Sequence, residues 1–247
     1  MKFEQCPLSL IFDSVSNTFP FENKDKVIFL NTSDVLEGRV LHSTYSLVSE
    51  LPGQAKKSIR KGDILYSEIR PKNKRFAFID FDASDYVVST KFMVLRMKES
   101  VKEYVDLRYV YYYITSDFFI DHLQFIAESR SGTSPQITFK DFASLSILLP
   151  KIDVQKKIAK FLDNISNKIT INQLIITNLE QLAQTLFKHW FIDFEFPNEN
   201  GEPYKSSGGK MVQSELGEIP EGWELHELGS IIELAYGKSL TKTNRIQ

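Results

Sequence analysis

The residue patterns in this chain that could support catalysis are few and incomplete. Tyr236-Gly237-Lys238-Ser239 matches the last part of a phosphate-binding loop, but Ile232 stands where that motif needs its first glycine. Asp13 with Glu22 and Lys24 loosely matches the carboxylate cluster with which a nuclease holds a divalent metal. The histidines are scattered, and none pairs with another at metal-ligand spacing. We therefore expect no catalytic residue, no metal and no cofactor, with a metal-dependent nuclease as the less favoured alternative.

A concentration of positive charge is the clearest binding signal in the sequence. Between residues 54 and 75 there are eight basic and two acidic residues, although the whole chain has a formal net charge of -2. Clustered Lys and Arg attract phosphates, and Arg can also read a guanine edge through two hydrogen bonds. The alternative is an ordinary solvated charged face. The residues predicted here to contact DNA are Lys56, Lys57, Arg60, Arg70, Lys72, Lys74 and Arg75.

A polar loop at residues 129–136 is a second candidate for contact with DNA. It combines an arginine, small hydroxyl side chains, a glycine and an amide, so it could approach a nucleic-acid backbone closely and donate hydrogen bonds. The alternative is a plain polar connection. The residues predicted here are Arg130, Thr133, Ser134 and Gln136. The aromatic stretch at 102–127 is predicted to be helical, with its rings in the core and not in a base-stacking platform.

The segment from Asp153 to Phe191 has the pattern of a long helix with a coiled-coil seam. It contains no glycine or proline for 39 residues, and Asp153 is a suitable N-cap. Mostly apolar residues recur with alternating steps of four and three over about four heptads, which predicts pairing with another helix. The seam residues are Ile158, Leu162, Ile165, Ile169, Asn172, Ile176, Leu179, Ala183 and Leu186. Asn172 is either a tolerated polar residue or one that fixes register and partner number.

The remaining sequence predicts an α+β chain with a short tail. Short β-rich runs at 27–30, 63–66, 76–79, 86–88 and 92–95 are separated by turn residues. We predict a mixed α/β domain at 1–150, a spacer and dimerisation helix at 151–195, a linker at 196–214 and the incomplete start of a second domain at 215–247. A faint repeat aligns Leu8–Val15 with Glu227–Leu234.

Composition narrows the class of protein. The chain has 247 residues, of which 42% are hydrophobic and 25% charged, and this balance indicates a globular fold. The one cysteine, Cys6, excludes an internal disulfide and argues against a cysteine-ligated zinc site. The N-terminus lacks the pattern of a signal peptide, and no apolar run reaches the roughly 20 residues of a membrane span. We therefore expect a cytoplasmic protein with no membrane partner.

Three parts of the sequence together resemble the specificity subunit of type I restriction-modification systems. The segments are Lys61–Ser67 running into Ile69–Pro71, then Gly132–Ile137 followed by Leu145–Pro150 and Gln155–Asp163, and finally Gly217–Leu225. The first is similar to the glycine-aspartate strand of that family and the basic stretch after it. The second is similar to the end of a target-recognition domain and the start of the spacer helix. The third is similar to the entry of a second recognition domain.

The resemblance implies a non-catalytic subunit that recognises double-stranded DNA. In that family two recognition domains read the halves of a split site, and antiparallel spacer helices set the spacing and dock the modification subunits. The implied partners are a DNA methyltransferase (modification) subunit and possibly a restriction subunit, which carry the chemistry.

The chain departs from the family pattern in two respects. Val154 stands where the family usually has Glu, and the chain has one recognition domain and one spacer helix, where a full subunit has two of each. We therefore expect a half-subunit that pairs with itself or with another half. The alternative is a truncated scaffold fragment that binds the modification subunit without contacting DNA.

Overall fold

The computed structural model of the protein describes residues 3–129 and 135–233, together with residues 235 and 237. The chain divides into two compact units, Met1–Asn167 and Lys168–Gln247. Both strands and helices are present, and the predicted α+β fold class is confirmed. Within the described residues, no helix combines the length and apolar composition needed to cross a bilayer.

The elements follow one another along the chain in this order. The strands of the first unit are β1 (Glu4–Pro7), β2 (Phe12–Val15), β3 (Lys26–Leu30), β4 (Val35–Leu36), β5 (Arg39–Val40), β6 (Ser46–Leu47), β7 (Ala55–Ser58), β8 (Ile64–Ser67), β9 (Phe76–Phe78), β10 (Tyr86–Ser89), β11 (Phe92–Met97) and β12 (Ser146–Leu149). Its helices are α1 (Leu8–Ile11), α2 (Leu107–Ile114), α3 (Asp117–Glu128) and α4 (Phe139–Ser144), and α5 (Ile152–Phe187) begins in this unit and ends in the second. The second unit continues with a π-helical turn (Lys188–Ile192), β13 (Met211–Ser214), β14 (Gly217–Pro220) and α6 (Leu228–Ile231).

A four-stranded antiparallel sheet, in the order β2-β11-β8-β9, forms the middle layer of the first unit. Its strand β8 is buried on both faces. Ile64 and Tyr66 belong to a core cluster shared with the helices, whereas Leu65 belongs to a cluster shared with the second sheet, β6-β3-β10-β7. Because successive side chains of a strand point to opposite faces, the antiparallel sheet separates the helices from the second sheet.

The turn that leads into β8 is fixed by a buried ion pair. Gly62 has a φ angle of 91°, which favours glycine, and Asp63 after it is fully buried. The carboxylate of Asp63 accepts hydrogen bonds from Arg96 Nε and Nη2, each at 2.7 Å, and from the backbone N–H of Arg60 at 2.9 Å. This hydrogen-bonded carboxylate raises the pKa of Arg96. A bidentate pair between an arginine and a carboxylate has a fixed geometry. The Arg96–Asp63 pair therefore holds the turn and the start of β8 in position.

The aromatic region predicted as one helix over 102–127 is two helices, α2 and α3. The break falls at Ser116, whose hydroxyl accepts a hydrogen bond from the backbone N–H of Phe119 and caps α3. The rings of Tyr109 and Phe119 lie in the core, as predicted. The expectation fails for Tyr104, Phe118 and Phe125, which are 50%, 78% and 70% exposed.

The long helix α5 begins at Ile152, one residue before the predicted cap. Asp153 therefore lies inside the first turn, where its negative charge is favourable to the helix dipole. The 36 residues of α5 correspond to roughly 54 Å at 1.5 Å per residue.

A buried glutamine ties the start of α5 to the first unit. Gln155 Nε2 donates hydrogen bonds to the carbonyl oxygens of Pro150 (2.8 Å) and Tyr104 (3.0 Å). Gln155 Oε1 accepts a hydrogen bond from the backbone N–H of Asp106 at 2.8 Å. All three bonds involve backbone groups outside the helix, so they fix the point at which the helix leaves the first unit.

Stacked aromatic rings organise the second unit. The ring of Phe196 lies 4.6 Å from that of Tyr204 and 5.6 Å from that of Trp223, with interplanar angles of 18° and 17°. Phe194 packs edge-on against Trp223 at 5.4 Å. The segment 196–214 thus contains part of this aromatic cluster as well as β13, which pairs with β14. It has more regular structure than its linker-like composition predicts.

The short helix α6 repeats the local structure of α1. The residue before each turn is extended, with φ and ψ of -64° and 138° at Pro7 and of -67° and 134° at Glu227. In both, the N–H after the turn bonds back to the carbonyl oxygen of the first leucine. Leu228 therefore takes the place of Leu8, one residue out of register with the repeat predicted from the sequence. Leu8 is fully buried, whereas Leu228 is 68% exposed.

Candidate nucleic-acid interface

The segment Arg70–Lys74, here called the basic turn, connects β8 to β9. Its centre, Pro71–Asn73, is a single turn of 3-10 helix, flanked by Arg70 with φ of 44° and Lys74 with φ of 53°. Such left-handed conformations cost about 1–3 kcal/mol each for residues other than glycine. Strain of this kind persists only where the surrounding structure holds it, and it is common at binding sites.

Helix α3 holds the basic turn in place. The buried side chain of Gln124 accepts a hydrogen bond from the backbone N–H of Lys72 at 3.1 Å. Lys72 Nζ lies 3.4 Å from Asp121, and Lys74 Nζ lies 2.8 Å from Asp117. The hydrogen bond that Lys74 donates to the Asp117 carboxylate raises the pKa of Lys74. Each of these two lysines therefore has a carboxylate beside it.

The second candidate loop ends directly beside the basic turn. The backbone N–H of Arg70 donates to the carbonyl oxygen of Pro135, and that of Ile137 donates to the carbonyl oxygen of Glu68, each at 2.9 Å. Between these bonds, the side chain of Gln136 is exposed, as is that of Arg70. The structure therefore brings together two candidate segments that are more than sixty residues apart in the sequence. The other predicted residues of this loop, Arg130, Thr133 and Ser134, lie outside the described residues.

The remaining predicted basic residues have different surroundings. Lys57 is half-buried on β7 and its Nζ donates to the carbonyl oxygen of Phe92 at 2.6 Å, and burial lowers its pKa. Arg75 Nη1 donates to the backbone carbonyl oxygens of Ser33 and Val35, at 3.0 and 3.1 Å. Lys56 and Arg60 are exposed. Since β7 belongs to the second sheet and the basic turn joins strands of the first, the cluster that is continuous in sequence is divided in the structure.

The hairpin β4–β5 also reaches the basic turn, a contact that no local sequence pattern predicts. The backbone N–H of Glu37 donates to the carbonyl oxygen of Lys74 at 2.8 Å. The backbone N–H of Gly38 donates to the carbonyl oxygen of Phe76 at 2.9 Å. Gly38 has a φ of 87°. The next residue, Arg39, is exposed and adds a cation to this side of the molecule.

The predicted seam of α5 lies on the surface of the single chain. Leu162 is half-buried and the other seam residues are exposed. The exposed fraction of the apolar ones rises from 37% at Ile158 to 59% at Leu179. A regular apolar stripe of this length is typical of a helix that pairs with another helix.

The catalytic alternatives gain no support from the described residues. Asp13 pairs with Lys98 at 3.3 Å, whereas Lys24 is bound to Asp85 and to the carbonyl oxygen of Ser84. In the part of the chain that the structure describes, no group of three or more His, Cys, Asp or Glu residues could hold a metal ion. Tyr236, Lys238 and Ser239 of the partial phosphate-loop pattern lie outside the described residues.

Curated proteins with similar sequences are specificity subunits. The chain is 44% identical over 214 residues to the type I restriction enzyme HindI specificity subunit of Haemophilus influenzae, and the match covers 87% of this chain and 46% of that protein. It is 32% identical over 142 residues to the MjaIX specificity subunit of Methanocaldococcus jannaschii, covering 56% of this chain and 30% of that protein. The chain thus spans less than half the length of these curated relatives.

Solved structures share the fold. The crystal structure of the HsdS subunit from Thermoanaerobacter tengcongensis matches with a TM-score of 0.58 at 20% identity, over 85% of this chain and 53% of that chain. A chain from a structure described as showing complex assembly and conformational transition of the type I R-M system matches with a TM-score of 0.57 at 20% identity, over 98% of this chain and 57% of that chain. The profile of the family described as "Type I restriction modification DNA specificity domain" matches residues 11–181, most of this sequence. The chain therefore belongs to the family of type I restriction-modification DNA specificity domains.

Proposed function

We propose that this chain reads one half of a split site in double-stranded DNA as the recognition subunit of a type I restriction-modification complex. It performs no chemical step itself. It assembles in the cytoplasm with a modification (methyltransferase) subunit and a restriction subunit, which methylate and cleave. The observation that carries the proposal is the backbone pairing of residues 68–70 with residues 135–137, because it unites a strained cationic turn and an exposed amide on one surface.

The side chains of this surface suit two kinds of DNA contact. Lys72 and Arg70 are exposed cations that fit the phosphate backbone, and such contacts supply affinity without sequence preference. Gln136 can donate to and accept from an adenine edge, and Arg70 can also pair with guanine. The exposed Lys56 and Arg60 would extend the phosphate contacts if the duplex reaches β7. We assign sequence reading to Arg70, Gln136 and the loop that contains Arg130, Thr133 and Ser134.

The seam of α5 is proposed to pair with the same helix of a second chain. A half-subunit has one recognition domain, so two are needed for a bipartite site. A helix of roughly 54 Å exceeds one DNA turn of about 34–36 Å, and it could separate two half-sites by more than one turn. A symmetric pair would favour a palindromic split site, because the symmetry of a protein dimer is mirrored in its DNA site.

Charges placed in the seam should prevent this pairing. We expect Ile176→Glu with Leu179→Glu to weaken self-association at least roughly 100-fold, since a dimer would have to bury unpaired carboxylates. Analytical ultracentrifugation over the micromolar range measures the effect. Asn178→Glu with Gln181→Glu adds the same charge away from the seam and should leave the dimer intact. A wild-type chain that stays monomeric over this range would contradict self-pairing.

The tail at 215–247 is proposed to open a second recognition domain. Its α6 has the backbone conformation of α1, which starts the first domain. Ile231 is 65% exposed, whereas the corresponding Ile11 is fully buried against the rest of its domain. The turn therefore has apolar residues like those that α1 buries, and none of the described residues covers them.

The proposal is tested by methylation of a randomised DNA pool. The purified chain is mixed with the modification subunit of the same restriction system and a methyl donor, and the methylated products are sequenced. We expect a split motif, palindromic if two identical chains pair. A complex that forms but methylates without sequence preference would instead support the scaffold alternative, in which the chain binds the modification subunit and does not read DNA.

A further inference from the structure

Helix α3 is apolar on both of its faces. Its inner face is fully used, with Phe119 and Leu123 buried in the core. On the opposite face Phe118 and Phe125 are 78% and 70% exposed, and the exposed His122 lies between them. We call these three residues the outer strip. Residues seven apart lie nearly in line along a helix, so the two phenyl rings form one continuous surface. The outward face of a surface helix normally carries polar side chains, so two phenyl rings on an uncovered face are unusual.

A row of carboxylates separates the outer strip from the basic turn. Asp117 and Asp121 lie on the side of α3 that meets the turn, where they pair with Lys74 and Lys72. Glu128 continues this row seven residues, or about two helical turns, after Asp121. All three acidic side chains are exposed. Phosphates held by the basic turn would meet this negative charge before reaching the phenyl rings. The outer strip therefore does not fit a nucleic acid.

We propose that the outer strip is a docking site for a protein whose surface offers an apolar groove with a basic rim. Two exposed aromatic side chains in line are typical anchors of a protein interface, where a few such residues provide most of the binding energy. The carboxylate row fixes the sign of the partner's charge, because basic side chains at the edge of its groove would lie opposite Asp117, Asp121 and Glu128. The outer strip lies on α3 and shares no residue with the seam of α5.

The test uses the modification subunit as the probe, a choice that rests on the proposed function. In the full chain, Phe118→Gln with Phe125→Gln removes both rings and keeps residues that favour a helix. We expect its affinity for the modification subunit to fall at least roughly tenfold, with unchanged DNA binding and an unchanged melting temperature. The matched control is Leu10→Gln with Leu148→Gln, which removes two side chains of similar exposure, 54% and 47%, elsewhere in the same unit. The control should bind like the wild type.

The other results have distinct meanings. Unchanged affinity for the modification subunit overturns the proposal. Loss of DNA binding alone also overturns it, and would make the phenyl rings part of the DNA interface. Loss of self-association alone overturns it in favour of a second copy of this chain. In each of these cases, a wild-type chain that still assembles and directs sequence-specific methylation leaves the proposed function standing.

Discussion

Replacing Gln155 with leucine should lower the free energy of unfolding of the first unit by about 4 kcal/mol. The substitution leaves the carbonyl oxygens of Tyr104 and Pro150 and the N–H of Asp106 without the hydrogen bonds that they make to the glutamine. Each buried polar group that loses its partner costs about 1–3 kcal/mol, and the gain from burying leucine offsets part of the sum. Urea denaturation followed by circular dichroism measures the change.

A control on the same helix separates this effect from general changes in α5. Gln181 is exposed, so Gln181→Leu should change the free energy of unfolding by no more than about 0.5 kcal/mol. Gln155→Glu keeps the shape of the side chain but replaces two donated hydrogen bonds with a buried negative charge, and it should be at least as destabilising as leucine. A loss below about 1 kcal/mol for Gln155→Leu would mean that water replaces the glutamine and that the helix is held by other contacts.

The role of Gln155 illustrates what the sequence could not predict. Its position at the start of the spacer helix was expected from the resemblance to the family. Its partners Tyr104 and Asp106 are about fifty residues away, and no local pattern indicates that a glutamine will be buried among backbone groups. The start of the helix was also misplaced by two residues, because Asp153 is as suitable inside a first turn as at the cap.

Five of the strands were predicted because their signals are local, whereas the other strands of the first unit were not predicted. The runs at 27–30, 76–79 and 92–95 correspond to β3, β9 and β11, with ends that differ by one or two residues. In β8 the uninterrupted apolar run reflects burial on both faces. The break between α2 and α3 was missed although Ser116-Asp117 is a recognisable helix start, since the aromatic run continues across it.

The candidate interface could be proposed only in part from the sequence. A cluster of charges is visible in a short stretch of sequence, whereas a surface combines segments that are distant in the sequence. Lys57 and Arg75 lie within the basic stretch, but their side chains bind backbone carbonyl oxygens of neighbouring strands. The hairpin with Arg39 joins the same surface without any signal in its own sequence. The pairing of Arg70 with Pro135 joins segments that only the folded sheet brings together. Sequence reasoning proposed both segments as DNA contacts, which stays a prediction, and it could not show that the two segments lie side by side.

Reversing two charges of the basic turn gives the largest expected effect on function. We expect Arg70→Glu with Lys72→Glu to weaken binding of the full chain to its DNA site at least roughly 100-fold at physiological salt, because each lost phosphate contact removes counterion release and each new carboxylate repels the backbone. Two lost contacts should also make the slope of log K against log salt shallower by about 1.8. Fluorescence anisotropy titrations at several salt concentrations measure both quantities.

The same charge change elsewhere shows whether position or total charge is responsible. Lys26 and Lys151 are exposed residues of the first unit outside the basic turn, so Lys26→Glu with Lys151→Glu should weaken binding only a few-fold. The neutral variant Arg70→Gln with Lys72→Gln separates lost contacts from added repulsion and should lie between the two. The Lys72–Asp121 pair is exposed, so breaking it costs less than about 1 kcal/mol of stability, and a melting temperature near the wild-type value confirms that the fold is retained. Wild-type affinity in the reversed variant would remove the basic turn from the DNA interface and leave the exposed residues Lys56, Arg60 and Gln136 as the remaining described candidates.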